Sequence, residues 1–102
     1  MDKDSIIQAF NDHLKKSLRQ YYREFYCGIT DNIERRLFNE HNVSQKDGFW
    51  IYAQADSVDD AREIEKHYLS LGMQGDTGGG NENSVWVYCY LIMQYTKEGS
   101  NG

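Results

Sequence analysis

Apolar residues first recur at helical spacing: Ile6, Phe10, Leu14 and Leu18, with Lys15, Lys16 and Arg19 off the stripe. This pattern predicts a helix from Asp4 to about Arg23, capped by Ser5, whose stripe reads as a core-facing surface. Glu24 to Ile29 is rich in aromatic and β-prone residues and predicts a short strand, with Gly28 marking a bend or a close backbone approach. Asp31 followed by Glu34 has the form of a capping box and opens a second helix with Ile33 and Leu37 on one stripe. After a polar loop over 42–48, Phe49 to Ala55 predicts a second strand. Ser57 with Asp60 then opens a third helix, whose apolar face is Val58, Ala61, Ile64, Tyr68 and Leu71, and Gly72 stands where a helix C-terminal glycine belongs. The glycine-rich stretch 72–84 reads as a connector. Val85 to Gln94 alternates as a third strand, with Trp86, Tyr88 and Tyr90 on one face and Val85, Val87, Cys89 and Leu91 on the other.

The order α-β-α-β-α-β predicts an α+β or α/β sandwich with a small sheet. At 102 residues the chain is one domain, expected over 1–95 with a frayed tail over 96–102. Fourteen aromatic residues supply enough bulk for one core and exclude a disordered chain. No apolar run approaches the ~20 residues of a membrane-spanning helix. The acidic N-terminus lacks a secretory core, so a cytoplasmic protein is expected. Cys27 and Cys89 have no metal or redox spacing and read as reduced, buried thiols.

The net charge of −5 argues against indiscriminate binding of polyanions. Its distribution is uneven. Residues 1–36 hold seven Lys/Arg against six acids, whereas residues 37–102 hold four against ten. A confined nucleic-acid contact through Lys15, Arg19, Arg35 and Arg36 fits that asymmetry, and a broad one does not.

Two charged residues break the helical patterns. Glu65 lies on the margin of the third helix's apolar stripe, and Arg36 stands beside Leu37 on the second. They read either as ordinary surface or structural charges, or as two groups converging on one site. The glycine-rich stretch lacks a Gly-Lys-Ser/Thr ending and lies between a helix and a strand, the reverse of a nucleotide-binding loop. The three histidines show no metal-ligand spacing, and a serine-nucleophile signature is absent.

The run from Tyr26 to Leu37, YCGITDNIERRL, followed by NEHN over 39–42, resembles the second half of the GIY-YIG nuclease motif. In that superfamily a strand with Tyr-x-Gly runs into a helix whose catalytic arginine lies eight residues after the glycine, here Arg36. The segment FWIYAQADSVDDAREIEKHYL resembles the family's next strand and helix, where an alanine is followed four residues later by a metal-binding glutamate, here Glu65. The resemblance covers about residues 24–71 and selects the two residues that periodicity had already set apart.

It implies a metal-dependent endonuclease or phosphodiesterase acting on nucleic acid, with DNA favoured over RNA. Glu65 would hold Mg²⁺ or Mn²⁺, Arg36 would contact phosphate, and Tyr26 would be the motif's second tyrosine. The family's first strand, with Gly-Ile-Tyr, has no counterpart before Tyr26. The C-terminal strand is expected to fill that sheet position, with Tyr88 or Tyr90 replacing the missing tyrosine. Several members carry a histidine twelve residues after the glycine; here Glu40 holds that place and His41 is one step beyond. Asn81 and Asn83 are the candidates for a late asparagine. Phage, mobile-element or repair biology is the setting that the resemblance implies.

A second reading keeps the fold and drops the chemistry. It is an inactive binding module, for example a phage-encoded inhibitor of a host defence protein. Its acidic half, with Asp56, Asp59, Asp60, Glu63 and Asp76, would face a basic partner, and Trp86, Tyr88 and Tyr90 would form the interface if exposed.

Overall fold

In this computed structural model the described residues are 1–18, 21–75 and 80–98. Helix α1 spans Lys3–Leu14. Its cap is Asp2, whose carboxylate accepts from the Ser5 N–H at 2.7 Å, so the expected Ser5 cap is moved three residues upstream. Ile6 and Phe10 are buried, but the helix stops at Leu14 and Leu18 is 97% exposed. The apolar stripe thus outlasts the surface available to cover it. A 3₁₀ turn, Tyr22–Glu24, leads into strand β1, Phe25–Thr30.

After β1 the chain enters a π-helical segment, Glu34–Glu40. The cap here is Asn32 rather than Asp31, with Asn32 Oδ1 accepting from the Arg35 N–H at 3.1 Å. Strand β2, Trp50–Gln54, precedes helix α2, Val58–Ser70. Helix α2 starts as its sequence predicts, with Ser57 Oγ accepting from the Asp60 N–H at 3.1 Å. It ends before Gly72, whose φ of +118° is a backbone conformation open to glycine. Strand β3, Trp86–Leu91, completes the chain's regular structure.

The three strands form an antiparallel sheet in the order β1-β3-β2, so the last strand is the central one. The antiparallel pairing makes the architecture α+β, one of the two that the element pattern allows. β3 pairs along the whole of β1, placing Cys27 opposite Cys89 and Gly28 opposite Tyr88. The Cys27 N–H donates outward to the Gln74 carbonyl at 2.9 Å, and β1 is otherwise an edge strand.

Strand alternation splits the interior into two layers. On one face, Phe25, Cys27, Ile29, Val87 and Cys89 pack with Ile6 and Phe10 of α1 and with Ala61, Ile64 and Tyr68 of α2. Burial raises the pKa of both thiols, and they sit as small core residues. On the other face, Tyr26, Tyr88 and Tyr90 pack with Leu37 and Val43 beneath the π-helical segment. Tyr88 and Tyr90 are each 1% exposed, so the condition on which they would form an interface is not met.

The expected tail is corrected over its first three residues. Thr96 is buried, the Lys97 N–H donates to the His41 carbonyl at 2.8 Å, and Glu98 accepts from the Tyr90 hydroxyl. Residues 99–102, together with Arg19 and Asp76, lie outside the described residues. Among the described residues, no helix is long and apolar enough to cross a membrane.

Candidate active site

A cleft of about 260 Å³ opens past the edge of β1, lined from both faces of the sheet. Tyr26, Gly28 and Tyr88 come from the face beneath the π-helical segment, and Glu65 reaches it from α2 on the other side. Arg35, Arg36 and Glu40 come from the π-helical segment, and Gly80 and Ser84 from the loop before β3. Arg36 and Glu65, 29 positions apart in sequence, line one cavity with two tyrosines. At about 30 Å³ per water it has room for roughly eight waters, or for a phosphate group and several waters.

Each side chain has a local reason for its place. Glu65 is one helical turn past Ala61 and one before Tyr68, both fully buried, so the stripe carries it inward until only 4% is exposed. Gly28 is where the cleft is made. A Cβ there would lie 2.5 Å from the Tyr88 hydroxyl oxygen and 2.8 Å from its Cζ, so the absent side chain leaves the space into which the Tyr88 ring leans. Arg36 donates to Glu40 at 2.9 Å, while Arg35 bridges Asp31 at 3.0 Å and Glu40 at 3.3 Å. Asn81 sits behind Asp31, donating to its carboxylate at 3.3 Å, and orders the loop through Asn83 and Ser84.

The residue that sequence periodicity missed is His41. It is 2% exposed, and its N–H donates to the Arg36 carbonyl at 2.9 Å, five residues back. That i→i+5 bond is the π-helical signature, and it accommodates one extra residue in the turn. His41 therefore comes round to the face that an α-helix would have given position 40. The one-residue offset in the sequence is absorbed by the wider turn. Its only advance signal was that histidine one step out of register.

His41 Nδ1 lies 2.6 Å from the Lys97 carbonyl oxygen, which can only accept, so the proton is assigned to Nδ1. In the neutral ring Nε2 is then an acceptor, and the Tyr88 hydroxyl donates to it at 2.7 Å. Burial raises the Tyr88 pKa, as does the Tyr26 hydroxyl, while the Arg36 charge and hydrogen bond pull the other way. Tyr88 is thus a phenol at neutral pH with its proton aimed at a base. Burial also opposes the charge on Arg36, but its bonds to Glu40 and Tyr88 outweigh that and hold its pKa above the ordinary value. Tyr90 does not line the cleft. It stands behind His41, with its hydroxyl oxygen 2.9 Å from Nδ1.

Of the other sequence candidates, Lys15 is elsewhere. It lines a separate groove with Gln8, Tyr21 and Phe25 and pairs with Asp12 at 3.8 Å.

Among the described residues, no group of three or more His, Cys, Asp or Glu side chains could hold a metal ion. A hydrated Mg²⁺ asks for less, because it keeps several waters and takes one or two carboxylates plus substrate phosphate oxygens. Glu65, lining a cleft with room for several waters, fits that demand. Three acidic side chains, Asp31, Glu40 and Glu65, line the cleft beside two basic ones, Arg35 and Arg36, so phosphate would gain from a cation there.

Burial depresses the pKa of His41 and of His13, whose buried Nε2 has no hydrogen-bond partner among the described residues. A depressed folded-state pKa means that the unfolded chain binds more protons below the ordinary value of 6.5. Stability is therefore full above about pH 6.5 and falls as pH drops towards the folded-state values. Thermal melts at pH 7.5 and 5.0 should show a lower midpoint at pH 5.0, and His13→Gln should shrink that difference. The shifted carboxylates, Asp2, Asp31, Glu40 and Glu63, are held below their own ordinary values of 3.8 and 4.5, so their contribution is present at neutral pH and is lost only as pH falls through that lower range.

Comparison with family models, curated proteins and solved structures found no match to this chain, so the site is read from its own geometry.

Proposed function

We propose that this chain is a metal-dependent phosphodiesterase of GIY-YIG type, cutting nucleic acid with DNA favoured over RNA. One observation carries the reading: Tyr26, Arg36, Glu65 and Tyr88, drawn from four different elements, line a single cleft. The pairing of β3 along β1 supports the replacement of the family's first strand, with Tyr88 as the substituted tyrosine.

Glu65 would hold Mg²⁺ or Mn²⁺, which when bound supplies Lewis acidity at the phosphoryl oxygen. Arg36, held at the cleft wall by Glu40, is positioned to meet the charge that builds on the phosphate oxygens. The Tyr88 hydroxyl can accept a proton from an attacking water while passing its own to His41 Nε2. Gly28 keeps that hydroxyl beside the backbone of β1.

The test is cleavage of single- and double-stranded DNA and RNA with Mg²⁺ or Mn²⁺, wild type beside Arg36→Ala and Glu65→Ala. Cutting by the wild type, reduced about 10²-fold or more by each substitution, is the expected result. A folded wild type that cuts nothing under either metal would reject the catalytic reading and leave an inactive binding module of the same fold.

A further inference from the structure

We propose that the C-terminal segment Thr96–Glu98 is a positioning strap for His41: the Lys97 carbonyl fixes the proton on Nδ1, and the Glu98 carboxylate, through Tyr90, supports the charge that Nε2 acquires. This rests on the proton-accepting role given to His41 above.

The strap is built by a turn over Met93–Thr96. The Thr96 hydroxyl accepts from the Met93 N–H at 2.9 Å and donates to its carbonyl at 2.8 Å, which turns the chain back towards the π-helical segment. There it pairs twice with one residue. The Lys97 N–H donates to the His41 carbonyl at 2.8 Å, and the Lys97 carbonyl accepts from Nδ1 at 2.6 Å. Asn42, the next residue, adds a bond to the Tyr95 carbonyl at 3.0 Å. Backbone and ring of His41 are therefore both held by Lys97.

The second half of the strap is electrostatic. The Tyr90 hydroxyl donates to Glu98 Oε2 at 2.9 Å, and its oxygen faces Nδ1 at 2.9 Å, so a carboxylate stands two hydrogen bonds from the ring. When Nε2 takes the Tyr88 proton, the Nδ1 proton stays in place, shared between the Lys97 carbonyl and the Tyr90 oxygen. The new positive charge is then opposed by Glu98 through a buried phenol. A carboxylate behind a histidine fixes its tautomer and stabilises its charged form, here with one tyrosine interposed. Other groups also face the ring. Arg36 disfavours its charge and Glu40 favours it from the π-helical segment, while Tyr26 packs against it from β1 and Tyr88 and Tyr90 from β3.

The experiment is a nitrogen-detected NMR titration of the His41 ring in the full chain, wild type beside Glu98→Gln, Glu98→Asp and Tyr90→Phe. The wild type should show a protonated Nδ1 and a bare Nε2 at neutral pH. Glu98→Gln, at a partly exposed position, should weaken proton binding at His41 by at least about threefold, the effect of a charge two hydrogen bonds away even with full water screening. Tyr90→Phe should act in the same direction, and Glu98→Asp should restore wild-type titration. A proton on Nε2 in the neutral ring, or a Glu98→Gln titration matching the wild type, would overturn the proposal. The NMR readout needs no cleavage, so absence of nuclease activity would reject the catalytic reading while the strap stands or falls separately. If the chain does cut, the acid limb of kcat against pH should move to lower pH in Glu98→Gln.

Discussion

Replacing His41 with Ala should lower single-turnover cleavage by about 10²–10⁴-fold, the range for losing a positioned proton acceptor. Tyr88→Phe should cost a similar amount, because it removes the hydroxyl through which the proton would pass. The two residues share one bond, 2.7 Å from Tyr88 oxygen to His41 Nε2. Their effects should therefore fail to add: the double variant should be little slower than either single one. Tyr88→Phe keeps the ring in its place over Gly28, so its loss of rate can be read apart from packing. His41 is buried among three tyrosine rings, and His41→Ala opens a cavity as well. A melt of each variant separates the two effects. Additive losses, or a Tyr88→Phe enzyme within about threefold of wild type, would remove Tyr88 from the proton path.

Gly28→Ala should damage the site out of proportion to the single methyl it adds. The new carbon would lie 2.5 Å from the Tyr88 oxygen and 2.8 Å from Cζ, and the ring cannot retreat freely because it is 1% exposed. Overpacking of this kind costs about 1–3 kcal/mol, and in a domain of this size each kcal/mol is roughly 4–8 °C of melting temperature. The backbone at Gly28 is ordinary strand, so the penalty comes from the neighbour and not from φ. Tyr88→Phe removes the atom at 2.5 Å, and in that background Gly28→Ala should cost measurably less. Activity should fall further than stability, since any displacement of the hydroxyl breaks its approach to His41 and to Arg36. Unchanged melting in Gly28→Ala would show that Tyr88 is free to move, and the site would then lack the rigidity it needs.

Helix α2 was legible in the sequence from cap to glycine because its signals are local. Ser57 bonds to the N–H three residues on, and Gly72 adopts a backbone angle that its missing Cβ permits. The pairing of Arg36 with Glu65 in one site was legible in part, since each broke a helical stripe. Helix α1 was overextended because Leu18 continues the period, whereas its end depends on whether another surface arrives to cover it. The burial of Tyr88 and Tyr90 was not legible. An alternating strand has two apolar faces on paper, and only the packing of the π-helical segment says that both are covered.

The sequence by itself determined the order of helices and strands, the caps and strands that depend on near neighbours, and the residues Arg36 and Glu65 as exceptions to their stripes. The tertiary structure decided the rest. It placed the last strand in the centre of the sheet, laid Tyr88 over Gly28, and drew Lys97 and Glu98 against His41. The bonds from His41 to Tyr88 and Lys97 join residues 47 and 56 positions apart, and His41 reaches them through one additional residue in a helical turn. Their free energy comes from burial and hydrogen bonding across the assembled chain, and no local window of the sequence contains both partners.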